Sequence, residues 1–196
     1  PPPAPRGVLA LHREAYDDLR TALPGLGFFF YAFPTIALIT FVPRFSGQGG
    51  AGFQAALPLM ATAGTLLAGW AARRFDGGAA LLRWAYLAFG AAASALLAAG
   101  LAGAPTEALA LLTLTCAGFC GGAAATLIPQ LNPTPAGQAR ASGVLVQLGN
   151  LGSVSGPPLF AALADRFALP GLAGLTVITA VIALAVLGRL AKRLGG

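Results

Sequence analysis

The chain has 196 residues, of which 57% are hydrophobic and only 9% charged, and its mean hydropathy is +0.77. Soluble domains carry about 25% charged residues, so this chain lacks the polar surface to cover itself in water and belongs in lipid. Its one His, His12, lies among the charged first twenty residues, which excludes His-based metal sites and Ser/His or Cys/His catalysis at depth.

No paired carboxylates and no phosphate-binding loop are present, so an enzyme is the poorest fit. The net charge of +6 is carried by single basic residues between apolar stretches. That pattern suits basic loops facing an anionic leaflet, and no nucleic-acid partner is expected.

Residues 1–20 read as a cytoplasmic linker or juxtamembrane segment. The chain opens Pro-Pro-Pro-Ala-Pro-Arg, with no initiator Met and no signal-peptide pattern, so a piece cut from something longer is expected. Pro1 to Pro5 suit an extended, polyproline-like linker. Arg6 to Arg20 mix Leu9, Leu11 and Leu19 with Arg13, Glu14, Asp17 and Asp18, which suits an interfacial helix.

A hydrocarbon core about 30 Å thick takes about 20 helical residues. Uncharged runs of 23, 28, 23, 32, 24 and 22 residues separate Arg20 from Arg44, Arg44 from Arg73, Arg83 from Glu107, Glu107 from Arg140, Arg140 from Asp165 and Arg166 from Arg189. Each run holds one helix and none holds two. The expectation is an all-α polytopic membrane protein with six transmembrane helices near 21–42, 50–72, 84–104, 108–129, 141–164 and 167–188, and a tail over 189–196.

Six spans put both termini on one side. With that side inside, the inner segments carry Arg6, Arg13, Arg20, Arg73, Arg74, Arg83, Arg140, Arg189, Lys192 and Arg193, and the outer loops carry Arg44 and Arg166. The asymmetry predicts cytoplasmic termini.

The first span places Phe28, Tyr31, Thr35 and Leu38 along one face, with Pro24 and Pro34 as kink points. Tyr31 and Thr35 either contact a substrate at the midplane or pack within the bundle. The third and sixth spans hold no Asn or Gln and read as lipid-facing supports. Cys116 and Cys120, four apart in the fourth span, read as small packing residues and not as a metal site. Gln54, Gln130 and Asn132 sit at span ends, where they serve as gate residues or meet loop solvent.

The fifth span is the most informative. At about 100° per residue, Gly143, Gln147, Asn150 and Val154 share one face, and Gly149, Gly152 and Gly156 share the other. Small residues four apart allow close helix packing, and Pro157 and Pro158 remove backbone donors and invite a bend. Gln147 and Asn150 either line a polar cavity or bond to neighbouring helices.

Two stretches resemble a known family. The loop G-W-A-A-R-R-F-D-G-G, Gly69 to Gly78, resembles the degenerate second copy of the Gly-x-x-x-Asp-Arg-x-Gly loop motif of the major facilitator superfamily. Gly69, Arg74 and Phe75 match it, whereas Arg73 stands in the acidic position and Asp76 in a glycine position. The run A-R-A-S-G-V-L-V-Q-L-G-N-L-G-S-V-S-G-P-P-L-F, Ala139 to Phe160, is similar to the eleventh helix of many bacterial members and echoes the Gly-Pro motif of antiporters.

Residues 7 to 193 thus resemble the C-terminal six-helix half of such a transporter. The resemblance implies that the spans are helices seven to twelve, with an N-terminal six-helix half missing upstream and helices seven, eight, ten and eleven lining a central cavity. It also implies alternating access, with no cofactor expected; the hydroxyls, amides and aromatics of this half, with no fixed charge, suggest a small organic or drug-like solute. On this reading Tyr31, Thr35, Gln147 and Asn150 bind substrate, Gly149, Gly152, Gly156 and Pro157 allow helices to slide or bend, Gly69 is a conformational or packing residue, and Arg73 and Arg74 contact the cytoplasmic gate or lipid headgroups.

Two other readings stand beside it: a self-contained six-helix protein forming a homodimeric pore, and a non-transporting membrane scaffold. Eleven Arg to one Lys, with abundant Ala and Gly, suggest a GC-rich bacterial genome and hence an inner-membrane location.

Overall fold

The computed structural model describes residues 7, 13, 15–46, 50–74 and 77–194. Phe75 and Asp76 of the loop resemblance, and most of residues 1–14, lie outside the described residues. Among the described residues the architecture is all helical: α1 (Leu19–Phe41) with a short 3-10 turn (Val42–Phe45), α2 (Ala51–Ala72), α3 (Gly78–Ala102), α4 (Glu107–Leu131) and α5 (Pro135–Leu194). All five α-helices are long and apolar enough to cross a membrane.

The boundaries follow local chemistry. Asp18 caps α1, its carboxylate accepting from the Arg20 N–H at 2.9 Å. Gly103, with φ 64, ends α3 in the left-handed conformation that lets its N–H reach back to the last carbonyls. Relative to the expected third span, α3 begins six residues earlier, at Gly78 instead of Trp84. Backbone hydrogen bonding carries a helix beyond its apolar stretch, so Arg83 lies on the helix near its start.

A larger difference concerns the fifth and sixth expected spans, which form one continuous run in α5. Sixty residues of straight helix would extend about 90 Å, three times the hydrocarbon thickness. The run is not straight: Ala168, with φ 52 and ψ −142, breaks it into arms over residues 135–167 and 169–194. By contrast, the backbone stays helical through Pro157 and Pro158.

Close approaches fix the direction of each helix. Gly25 meets Val144, Gly152 meets Phe29 and Gly156 meets Phe33, so the first arm of α5 runs parallel to α1. Gly27 meets Ala124, and Asn132 Nδ2 donates to the Arg20 carbonyl at 3.0 Å, making α4 antiparallel to α1. Gly78 meets Leu127, which sets α3 against α4, while Gly90 meets Ala180 and Gly100 meets Leu169, which sets the second arm against α3. The chain therefore reverses at Ala168.

One end of the bundle then gathers Arg20, Arg73, Arg74, Arg83, Arg140, Arg189, Lys192 and Arg193, and the other gathers Arg44, Glu107, Asp165 and Arg166. At that second end Arg44 reaches Asp165 at 3.5 Å, tying the turn after α1 to the first arm.

The packing has an internal symmetry. Exchanging α1 with α4, α2 with the first arm and α3 with the second arm maps the tight α1/first-arm seam onto the tight α2/α4 seam. It also carries the α3/α4 contact onto the contact of the second arm with α1, where Leu187 and Leu23 share a core cluster. The helices exchanged run in opposite directions, so the bundle is an inverted repeat of two three-helix units. Both seams are glycine-built: a Cβ on Gly156 would collide with the Phe33 carbonyl, one on Gly118 with the Ala61 carbonyl, and one on Gly64 with the Thr115 carbonyl. In lipid there is no hydrophobic force between helices, so this close backbone packing carries the association.

Two core clusters fill the two ends. Leu23, Tyr86, Phe89 and Leu127 anchor one, and Leu38, Leu57, Leu96, Phe160 and Leu172 the other. Tyr86 is fully buried, and its hydroxyl donates to the Gly27 carbonyl at 2.6 Å, joining α3 to α1.

Candidate functional site

Helices α1 and α2 touch only weakly, and the gap between them is a cleft of about 330 Å³. Tyr31, Thr35, Ile36 and Ile39 form its α1 wall, and Pro58, Thr62, Thr65 and Leu66 its α2 wall. Cavities of this size fall at the lower end of the range that holds small organic ligands.

Helical periodicity puts these side chains there. On α1, positions 31, 35 and 39 repeat every fourth residue, and on α2 so do 58, 62 and 66, with Thr65 beside them. Tyr31 is half-buried, its ring resting against the backbone of Gly121 on α4, where a Cβ would lie 2.7 Å from it. Phe28 packs edge-on to Tyr31 at 5.0 Å between centroids.

The threonine hydroxyls of the cleft donate within their own helices. Thr35 Oγ1 donates to the Tyr31 carbonyl at 2.6 Å and Thr62 Oγ1 to the Pro58 carbonyl at 3.0 Å. Thr65 Oγ1 lies 3.1 Å from both the Ala61 and Gly118 carbonyls, so it also bridges α2 to α4. With their protons so engaged, these oxygens act only as acceptors toward any further partner.

Tyr31 and Thr35 are thus brought together, while Gln147 and Asn150 stand apart from them. Both amides are exposed on the first arm of α5, with Gly143 and Val154 beside them on the same exposed face. The opposite face, Gly149, Gly152 and Gly156, is buried against α1. Phe28 links the two regions, because its ring also lies 2.7 Å from where a Cβ on Gly149 would be. Tyr16 reaches across from the segment before α1 and donates its hydroxyl to Gln147 Oε1 at 2.7 Å.

The loop residues lie at the end of α2. Arg73 and Arg74 are exposed, and the Arg74 guanidinium sits over the Trp70 ring at 4.2 Å. A Cβ on Gly69 would meet nothing within 4 Å, so no neighbour packs on it. Pro157 is half-buried within the first arm. Cys120 is buried in the core and Cys116 half-buried, and among the described residues no group of three or more His, Cys, Asp or Glu is placed to hold a metal. Asn132 ties α4 to α1, and Gln130 abuts Gly78.

Sequence reasoning did not single out Thr62, Thr65 or Tyr16. The α2 hydroxyls carried a usable signal in Pro58, Thr62 and Thr65, spaced for one helical face. Tyr16 carried none, because its partner lies 131 residues away. No protein-family model, no curated protein and no solved structure matches this chain.

Proposed function

We propose that this chain forms six membrane crossings, the two arms of α5 counting separately, and acts as the C-terminal half of a major facilitator superfamily transporter. The observation that carries this reading is the inverted repeat of three-helix units, the arrangement on which alternating-access carriers are built. The exposed amide face of the first arm and the hydroxyl-lined cleft supply the polar surface that a solute pathway needs.

On this reading an upstream six-helix half faces α1, α2, α4 and the first arm, and α3 with the second arm forms the lipid-facing periphery. The orientation is cytoplasmic at the end rich in Arg, in a bacterial inner membrane. The substrate is a small organic solute that meets Tyr31, Thr35, Thr62 and Thr65 in the cleft and Gln147 and Asn150 at the separate amide face along its path. No cofactor is required, because the halves rock about the bound solute and its binding free energy biases the two states. The Tyr16 to Gln147 hydrogen bond closes the cytoplasmic side in this state and breaks when the first arm tilts away. Gly149, Gly152 and Gly156 give that arm a smooth track along α1, and Arg73 and Arg74 engage the cytoplasmic gate.

Two measurements test the proposal. An antibody against Arg189 to Gly196 on native membranes should detect a polypeptide about twice the 19.5 kDa of this chain. A native species of 19.5 kDa would instead leave a homodimeric six-helix pore. In the full-length protein, Asn150→Leu should abolish uptake of solutes that the parent moves from a labelled panel while membrane abundance stays unchanged. Normal uptake with unaltered affinity would remove Asn150 from the pathway.

A further inference from the structure

A second cavity lies outside the proposed solute pathway. It is a groove of about 840 Å³ between α3 and the second arm of α5, backed by Leu23 of α1. Leu82, Leu87, Val181, Leu184 and Leu187 give it an apolar wall. At one end stand Arg83, Arg189 and Lys192, and among the described residues no carboxylate lines it. None of these three cations makes an ion pair among the described residues. Trp84, 68% exposed, stands at the same end.

We infer that this groove holds one anionic phospholipid, with its phosphate against Arg83, Arg189 and Lys192 and an acyl chain along the leucine and valine wall. Three features argue for this occupant. The charge is complementary and confined to the mouth, where a headgroup sits. From Lys192 back to Val181 the groove follows about 16 Å of helix, which matches the depth of one leaflet, about 15 Å. An exposed Trp beside the cations marks headgroup level. A second protein helix would pair these cations only if it carried carboxylates at the mouth, whereas an anionic phospholipid places its phosphate there by its own architecture.

Trp84 is a built-in reporter, because Trp70 is the only other Trp. The full chain carrying Trp70→Phe would be reconstituted in phosphatidylcholine bilayers containing a minor fraction of phosphatidylglycerol, with brominated acyl chains on one lipid or the other. Quenching of Trp84 should show about a tenfold preference for phosphatidylglycerol. The preference should vanish in Arg83→Gln/Arg189→Gln/Lys192→Gln, where quenching by brominated phosphatidylcholine rises as it fills the groove, and persist in Arg83→Lys/Arg189→Lys, where that quenching stays at the parent level.

Native mass spectrometry of the unmutated chain gives an independent reading that no folding defect can confuse. One phosphatidylglycerol should remain bound per chain and resist displacement by inorganic phosphate. Equal quenching by the two lipids, survival of the preference in the neutral variant, or a lipid-free dimer would each overturn the inference.

Discussion

Gly156→Ala isolates the seam between α1 and the first arm. The new Cβ would overlap the Phe33 carbonyl, which is held by its own helix and has no rotamer by which to escape. To regain ordinary contact the two backbones must separate by roughly 1.5 Å, enough to forfeit more than half of the dispersion well along that part of the seam. Overpacking of this kind costs about 3 kcal/mol, which in a chain of this size lowers the midpoint by about 6–12 °C.

The control lies on the same arm. A Cβ on Gly143 meets nothing within 4 Å, so Gly143→Ala gains only helix propensity, about 0.8 kcal/mol, and should raise the midpoint slightly. Thermal unfolding of the full chain in detergent, followed by helical circular dichroism, reads both. Shifts of the same sign, or a midpoint for Gly156→Ala within error of the parent, would refute glycine-mediated backbone packing as the force joining these helices.

Other substitutions address the reversal, the core and the gate. Ala168 is exposed and adopts a positive φ that costs about 1–3 kcal/mol without the freedom of glycine. Ala168→Gly should therefore stabilise by about 1 kcal/mol after the added unfolded-state entropy, whereas Ala162→Gly, exposed within the helix, should destabilise by about as much. Thermal melts with equal losses in both would contradict the strained reversal. Tyr86→Phe removes a buried hydroxyl from the Gly27 carbonyl and should cost about 1 kcal/mol in denaturant titrations; no loss would mean that this bond contributes nothing to joining α3 and α1. If Tyr16 and Gln147 act as one tie across the cytoplasmic side, then Tyr16→Phe, Gln147→Leu and the double variant should alter transport rates equally. Additive effects would separate them.

The sequence by itself determined that the chain is helical and suited to crossing a membrane, because hydrocarbon excludes charge and the uncharged runs are as long as a bilayer is thick. It also determined which residues of a helix share a face, since periodicity is local: Gly149 with Gly152 and Gly156, and Gln147 with Asn150. It did not contain the partner of each face. That α1 fills the glycine face, that Thr62 and Thr65 complete a cleft with Tyr31 and Thr35, and that Tyr16 meets Gln147 depend on residues tens to more than a hundred positions apart. Charge spacing placed the end of the fifth run at Asp165 and Arg166, but it did not give the form of the reversal: no Gly marks the turn, the backbone breaks at Ala168, and helical hydrogen bonding runs on to either side. Only the tertiary structure decided these, because in lipid hydrophobicity does not choose between helices, and the choice of neighbour rests on how closely two particular backbones can approach.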